Sequence, residues 1–174
     1  MPMKAILQAA RRSRLIDLIL FGFITLALLA VVAVLPEPLV TRLEGRIRTI
    51  DGDSLMLAES EIRLQGIDAP EARQSCTKNG VAWDCGRQAA RQLARMVAGR
   101  RARCEAWDRD QHGRLLAICW VGEVEINRRL VEQGWAVSFG RYQAAERDAR
   151  KARAGLWAGE FEQPSDWRAE HKRN

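Results

Sequence analysis

The sequence predicts an α+β domain that follows an apolar N-terminal segment. Short stretches of alternating apolar and polar residues, between 43 and 67 and between 101 and 121, are typical of β-strands. Apolar residues at helical spacing mark several helices elsewhere in the chain. An apolar run near the N-terminus is long enough to form a transmembrane helix.

The apolar run covers residues 15–35, LIDLILFGFITLALLAVVAVL, and Asp17 is its only charged residue. Basic residues precede the apolar run. They favour a cytoplasmic location for residues 1–14, which puts the chain after the apolar run on the opposite side of the membrane. We therefore predict a signal-anchor helix over residues 15–35, followed by a linker over residues 36–42. Secretion after cleavage of a signal peptide is the alternative.

The chain beyond the linker is long enough to bury a core. We expect one domain over residues 43–160 and a polar C-terminal tail over residues 161–174. The chain has 28 basic and 22 acidic side chains. Four of the basic and two of the acidic side chains lie in residues 1–40, so residues 41–174 have a net charge of about +4. This charge attracts polyanions only mildly and does not by itself indicate a nucleic-acid-binding protein.

Five short strands are predicted. Residues 43–67 contain three of them, separated by the turn sequences DGD and AESE. Residues 101–107 and 114–121 are expected to pair across the turn sequence DRDQHG. Arg63 has opposite parity to its apolar neighbours, so it points away from the core, either into a surface cleft or into solvent.

Three helices are predicted. Residues 87–99 carry an apolar stripe at helical spacing and end at a glycine. A second helix begins near Ile126 and stops at Gly134, and a third covers residues 142–153.

The four cysteines form two local pairs. If the second hairpin is centred within DRDQHG, Cys104 lies directly opposite Cys119, at a separation that a disulfide can bridge. Cys76 and Cys85 flank a loop that a second disulfide could close. Two such pairs behind a membrane-crossing segment indicate an oxidising compartment, whereas a zinc site would lack the CxxC spacing.

Five charged residues are candidates for phosphate chemistry. Asp53 and Asp68 offer hard oxygen ligands to Ca²⁺ or Mg²⁺. Glu71 follows Asp68 closely and could accept a proton from an attacking water. Arg63 and Arg114 carry guanidinium groups that match phosphate oxygens bidentately. This combination suits metal-assisted hydrolysis of a phosphodiester.

These residues lie in three segments, IDGDS, RLQGIDAPE and DQHGRLLA, which resemble, in the same order, the signature segments of the thermonuclease (staphylococcal-nuclease-like) family. The resemblance extends over residues 43–157. It implies a five-stranded OB-type β-barrel with about three packed helices. It also implies Ca²⁺-dependent, endo- and exonucleolytic cleavage of DNA and RNA that leaves 3′-phosphates.

The resemblance assigns a role to each acidic residue. It implies that Asp53 and Asp68 bind Ca²⁺ through their carboxylates and that Ala69 contributes its main-chain carbonyl oxygen. The family often has threonine at the position of Ala69, but a main-chain ligand depends little on the side chain. Glu71 corresponds to the general base or the group that orients the attacking water.

The resemblance further implies that Arg63 and Arg114 stabilise the pentacoordinate transition state. Family members often present tyrosines that contact the nucleotide in the segment corresponding to residues 139–142. Phe139 and Tyr142 are therefore the candidate substrate contacts in this chain. Asp108 and Asp110, close to Arg114 in the sequence, are expected to be turn residues; the alternatives are that they orient that arginine or extend the acidic site.

We therefore predict a monomeric Ca²⁺-dependent nuclease that acts on DNA and RNA outside the cytoplasm and has no obligate protein partner. It would be held by its N-terminal helix with the domain in the periplasm or at the cell exterior, or secreted after signal cleavage. Two alternatives remain open. An OB-type barrel can bind single-stranded nucleic acid without cutting it, or can act as the scaffold of an envelope interaction protein.

Overall fold

The computed structural model describes residues 18, 20–28, 30 and 40–171. The chain divides into two units after Pro38. In the first unit, the described residues between 18 and 30 are helical. The rest of the predicted span 15–35, the segment 1–14 and most of the predicted linker lie outside the described residues. Within the part of the chain that the structure describes, no helix combines the length and apolar character needed to cross a membrane.

Ten strands run through residues 40–171. They are β1 (Thr41–Thr49), β2 (Ser54–Leu57), β3 (Ser60–Leu64), β4 (Ile67–Asp68), β5 (Cys76–Lys78), β6 (Val81–Trp83), β7 (Arg101–Arg109), β8 (Leu115–Val121), β9 (Val124–Glu125) and β10 (Val137–Ser138). Five of them, β1, β2, β3, β7 and β8, form the barrel. The others are two- or three-residue strands that pair at its margins.

The barrel closes through one parallel pairing. Antiparallel pairing gives the order β3-β2-β1-β7-β8, and β3 then pairs with β8 in parallel, with Ile62 opposite Leu115. Because both edges of the sheet are paired with each other, the barrel has no exposed edge over that stretch. The predicted five-stranded barrel is confirmed.

Alternating residues of the barrel strands fill its interior. Leu55 and Leu57 of β2 and Ile62 and Leu64 of β3 are at most 1% exposed. Such alternation is expected where one face of a strand is buried and the other is not.

Four α-helices lie in residues 40–171. They are α1 (Cys85–Val97), α2 (Ile126–Glu132), α3 (Gln143–Lys151) and α4 (Pro164–His171), and a short 3-10 helix covers Gly155–Ala158. The first three agree with the predicted helices to within a few residues. Helix α4 was not predicted, because residues 161–174 were expected to form a polar tail.

Asn127 joins α2 to the point where the barrel closes. It is fully buried, and its Nδ2 donates to the carbonyl oxygens of Gln65 (2.9 Å) and Ala117 (3.0 Å). Its Oδ1 accepts a hydrogen bond from the backbone N–H of Cys119 at 3.1 Å. Because all these groups are satisfied, a buried amide is tolerated there and fixes the segment after β3 against β8.

Both predicted disulfides are present. Cys104 of β7 lies opposite Cys119 of β8 in the predicted register, and the two are bonded. Cys76 and Cys85 are bonded across the β5–β6 hairpin. The second bond fixes the hairpin to the start of α1, next to the loop that carries Glu71.

Candidate active site

Asp53 ends the tight turn that leads from β1 into β2. Oδ1 of Asp51 accepts a hydrogen bond from the backbone N–H of Asp53 at 3.0 Å, which is the usual way in which an aspartate closes a turn. Gly52 is needed at the centre of this turn, because a Cβ there would lie 2.7 Å from the Cβ of Ala69. The Asp53 side chain is only 5% exposed and accepts the backbone N–H of Ala69 at 3.3 Å.

Asp68 approaches Asp53 from β4. Its strand is paired with β10, Asp68 lies opposite Val137, and its side chain is as deeply buried as that of Asp53. Arg63 on β3 joins the two carboxylates: its Nη2 lies 3.0 Å from Oδ2 of Asp53 and 2.9 Å from Oδ1 of Asp68. The prediction that Arg63 points away from the core face is confirmed.

The charges around Asp53 are not balanced. The pKa of Asp53 is raised to about 7. Burial is the largest cause, the negative charges of Asp51 and Asp68 also raise the pKa, and the positive charge of Arg63 lowers it. Arg63 therefore does not compensate for the burial of the Asp53 carboxylate. The site is one that gains stability from additional positive charge.

Glu71 lies on the loop that follows Asp68. Its carboxylate is about one-third exposed, in contrast to the two buried aspartates. The side chain of Gln74 is 1% exposed and its Oε1 accepts the backbone N–H of Glu71 at 3.2 Å. Gly86 of α1 packs directly on this loop, since a Cβ there would lie 1.7 Å from the carbonyl oxygen of Glu71. The loop is therefore held in place while its carboxylate remains accessible.

Arg114 reaches the site from the start of β8. Both its Nε and its Nη2 lie 2.7 Å from Oδ2 of Asp110, and its Nη1 donates to the Oγ of Ser54 at 3.4 Å. The same hydroxyl donates to Oδ1 of Asp53 at 3.1 Å. Ser54 thereby connects Arg114 to the acidic residues.

Asp110 closes its turn and also orients Arg114, two of the roles considered for it. Its Oδ1 accepts the backbone N–H groups of His112 (2.9 Å) and Arg114 (3.0 Å), which closes the turn. Its Oδ2 holds the Arg114 guanidinium. Burial alone would raise the pKa of Asp110, but the hydrogen bonds from Arg114 and from these two backbone N–H groups outweigh burial and lower it.

The predicted site residues border one cavity of about 1130 Å³. Its walls include the proposed catalytic and ligand residues, together with one of the two candidate substrate contacts: Asp53, Arg63, Asp68, Ala69, Glu71, Arg114 and Phe139. The convergence on which the hydrolysis prediction depends is therefore found in the structure. A concave site of this size, lined by converging charged groups, is the usual form of a ligand-binding site.

The two candidate substrate residues have different environments. Phe139 is 70% exposed at the rim of the cavity. Tyr142 is absent from the cavity wall, packs against the core and donates its hydroxyl to Oε1 of Glu125 at 2.5 Å. Burial, and then Glu125, raise the pKa of the Tyr142 hydroxyl, so it remains a donor to that carboxylate. Of the two, only Phe139 is placed to stack on a base.

Arg168 of α4 is a site residue that the sequence did not predict. Its Nη1 lies 2.9 Å from both Oδ1 of Asp68 and Oε1 of Glu71, and its Nη2 lies 2.9 Å from Oδ2 of Asp68. The sequence Pro-Ser-Asp at residues 164–166 is the signal that could have revealed α4, since proline and acidic residues are favoured in the first turn of a helix. Gln74 was also missed, and no local pattern distinguishes it from a surface glutamine.

The acidic residues fit a hard divalent cation in their chemistry. Asp53 and Asp68 are buried carboxylates, Oδ2 of Asp53 and Oδ1 of Asp68 flank Nη2 of Arg63, and burial raises the pKa of Asp53. Arginine nitrogens lie against these oxygens, and among residues 40–171 no three His, Cys, Asp or Glu side chains are grouped as a metal site. A cation would therefore have two protein carboxylates and would complete its coordination with main-chain, water or substrate oxygens.

Comparison with known proteins gives the same assignment as the fold and the site. Residues 61–159 match the family model described as Staphylococcal nuclease homologue, which spans more than half of the chain. The chain therefore belongs to the staphylococcal nuclease homologue family.

Several curated relatives support this. The chain is 34% identical over 134 residues to the succinoglycan biosynthesis protein ExoI of Rhizobium meliloti (strain 1021), covering 72% of this chain and 68% of the relative. It is 33% identical over 162 residues to protein ParB of Escherichia coli, covering 80% and 86%. It is 28% identical over 134 residues to the probable staphylococcal-like nuclease CAN3 of Oryza sativa subsp. japonica, covering 73% of this chain but only 33% of the rice protein.

Proposed function

We propose that this protein is a Ca²⁺-dependent nuclease that hydrolyses phosphodiester bonds of DNA and RNA and leaves 3′-phosphates. The observation that carries the proposal is the convergence of the three carboxylates and two arginines named from the sequence on one cavity. Membership of the staphylococcal nuclease homologue family, which includes relatives named as nucleases, supports the same chemistry.

Asp53, Asp68 and the main-chain carbonyl of Ala69 would hold the Ca²⁺ ion. When bound, the ion would polarise the scissile phosphate and bring a water molecule close to it. The burial of Asp53 favours this role, because burial disfavours its ionised form and a bound cation would stabilise it.

Glu71 would accept the proton of the attacking water. Its carboxylate is accessible from the cavity, and Gln74 and Gly86 hold its loop in place, so its position relative to the aspartates is fixed. In the proposed reaction the water oxygen bonds to phosphorus as the P–O5′ bond breaks. The products are a 3′-phosphate and a 5′-hydroxyl, which takes up a proton.

Arg63 and Arg114 would stabilise the negative charge that develops on the phosphate oxygens. Arg114 is held in place by Asp110 before substrate binds, which reduces the cost of orienting it. Arg63 contacts both aspartates and would transfer one or both of these contacts to the phosphate.

We further propose that the domain works outside the cytoplasm as a monomer, held by the apolar segment 15–35 or released after signal cleavage. Two disulfides within one small domain support an oxidising compartment. No obligate protein partner is needed by this proposal, because one chain supplies every residue named in the mechanism.

The test is hydrolysis of single-stranded DNA and of RNA by the purified full-length chain, with Ca²⁺ and with excess chelator. We expect cleavage only with Ca²⁺, and products with 3′-phosphate ends when the termini are labelled. Salt-sensitive binding without cleavage would instead identify a single-strand-binding module. Absence of both binding and cleavage would favour an envelope interaction protein.

A further inference from the structure

Arg168 bonds both carboxylate oxygens of Asp68, and Oδ1 has no further capacity to accept a hydrogen bond. Its two terminal nitrogens bond both oxygens of Asp68, and Oδ1 of Asp68 also accepts from Arg63 at 2.9 Å. A carboxylate oxygen accepts about two hydrogen bonds. Asp68 therefore cannot bind a divalent cation through Oδ1 until one of the two arginines leaves it.

Arg168 also forms an ion pair with Glu71, the proposed base. A single nitrogen, Nη1, bonds Oδ1 of Asp68 and Oε1 of Glu71, each at 2.9 Å. The proposed cation ligand and the proposed base are thus neutralised by the same guanidinium. Displacing Arg168 would free both residues at once.

The segment that precedes α4 is firmly attached to the catalytic loop. Thr77 and Glu160 exchange two backbone hydrogen bonds at 2.8 and 2.7 Å, and Nε2 of Gln74 donates to the carbonyl oxygen of Glu162 at 2.7 Å. Leu156 and Phe161 pack on the Cys76–Cys85 disulfide. The start of α4, which carries Arg168, is therefore held in a fixed position beside the site.

Helix α4 itself has little apolar anchoring. Of its eight residues only Pro164, at its start, is buried, and Trp167 stacks on His171 of the same helix. Elements with few buried apolar contacts open at low cost in free energy. The ion pairs of Arg168 are consequently a major part of what holds α4 over the cavity.

We propose that Arg168 is a further residue of this site that sets its affinity for divalent cations by competing with them for Asp68 and Glu71. The inference rests on the proposed function, in which Asp68 is a cation ligand. A cation that binds Oδ1 of Asp68 in place of Nη1 of Arg168 displaces that guanidinium, and α4 then detaches from the cavity and leaves Glu71 free. Since the cation binds only the displaced form, its apparent affinity is lowered by the cost of displacement.

The experiment measures Ca²⁺ binding to the full-length chain by calorimetry, without nucleic acid and at constant ionic strength. Arg168→Gln removes the competing charge, Arg168→Lys keeps the charge but loses the two-nitrogen contact, and Arg147→Gln is the control. Arg147 lies exposed on α3, does not line the cavity, and its loss changes the net charge equally. We expect Ca²⁺ to bind about tenfold more tightly to Arg168→Gln, less than tenfold more tightly to Arg168→Lys, and with wild-type affinity to the control.

Hydrogen exchange of the amides of residues 164–171 gives an independent measurement. In the wild type, Ca²⁺ should accelerate exchange in α4. In Arg168→Gln, exchange should be fast already without Ca²⁺ and should change little when it is added.

Equal or weaker Ca²⁺ binding by Arg168→Gln would overturn the proposal, as would unchanged exchange in α4 of the wild type. Failure of both the wild type and Arg168→Gln to bind Ca²⁺ would also overturn it. The proposed nuclease function is judged separately, by cleavage of single-stranded DNA with and without chelator. Cleavage that requires Ca²⁺, together with an unchanged Ca²⁺ affinity of Arg168→Gln, would overturn this inference and leave the nuclease function standing.

Discussion

Arg114 directs two of its nitrogens, Nε and Nη2, at one oxygen of Asp110, each at 2.7 Å. The contact fixes the plane of the guanidinium and turns its remaining nitrogen, Nη1, towards Ser54 and the acidic residues. An arginine held in this way is oriented before substrate arrives, which is the condition under which a charged donor is most effective in catalysis.

Replacing Arg114 by alanine should reduce kcat by about 100-fold to 1,000-fold, because the transition state loses a preorganised charged donor. Asp110→Asn should cause a smaller loss, since the arginine remains but is less well oriented. Steady-state cleavage of a short single-stranded DNA, with unfolding curves to verify the fold, measures both effects. Equal losses in the two variants would contradict the assignment of Asp110 as a positioning residue.

Asp110 should also contribute to the pH dependence of stability. Its pKa is lowered in the folded protein, so its contribution is present above the pKa of about 3.9 of an unfolded aspartate and is lost as pH falls through the lowered folded value. Acid unfolding of Asp110→Asn should therefore begin from a lower stability near neutral pH and converge with the wild type in strong acid. A stability difference between the two proteins that is the same at all pH values would contradict the lowered pKa of Asp110.

Glu71→Gln should reduce kcat by about 100-fold to 10,000-fold, because glutamine cannot accept the proton of water. The loop should remain in place, since the bond from the backbone N–H of residue 71 to Gln74 does not involve the side chain. Single-turnover cleavage measures the chemical step, and thermal unfolding checks the fold. Retention of near-normal activity would exclude Glu71 as the base.

Asp53→Asn should stabilise the protein in the absence of divalent cations while abolishing hydrolysis. The raised pKa of Asp53 means that its ionised form is disfavoured in the fold, so wild-type stability is lost as pH rises from about 4 to about 7. Thermal unfolding in chelator should show a larger gain for the variant at pH 8 than at pH 5. A destabilised variant at pH 8 would show that Arg63 compensates for the buried charge after all.

Phe139→Ala should weaken binding of single-stranded DNA, whereas Tyr142→Phe should leave it unchanged. Phe139 is exposed at the cavity rim, and loss of a stacking platform costs about 1–3 kcal/mol per base. The Tyr142 hydroxyl is bonded to Glu125, so its removal affects stability and not the cavity. Fluorescence anisotropy with a labelled oligonucleotide distinguishes the two, and a large effect of Tyr142→Phe would reverse the assignment.

The barrel strands and the disulfides could be predicted because the information lies in short stretches of the chain, whereas closure of the strands into a barrel was predicted from the family resemblance. Alternation in β2 and β3 predicts which of their residues are buried. The position of the second turn predicts the pairing of Cys104 with Cys119, and this pairing is found although the register shifts between Ala106 and Asp108. The side of β3 on which Arg63 lies likewise follows from the alternation of residues in that strand. Local periodicity determines which face a residue occupies, and the structure agrees with it.

The remaining parts of the site depend on contacts that no local pattern encodes. Arg168 meets Asp68 across 100 residues of sequence, and Gln74 meets Glu162 across 88. Helix α4 lacks the apolar periodicity that usually indicates a packed helix, and only its first residue is buried. Tyr142 was a candidate substrate contact because the family presents tyrosines in the corresponding segment, but at the start of α3 its hydroxyl bonds Glu125 instead.

The location of α4 has a practical consequence for anyone who shortens this chain. The family match ends at residue 159, so a version trimmed to the recognised region would lack Arg168 and the carbonyl group that Gln74 bonds. Gln74, which is almost wholly buried, would then keep an orphaned amide, and Asp68 and Glu71 would have one guanidinium fewer beside them. Such a truncated version would report the behaviour of an altered catalyst and not that of the natural one.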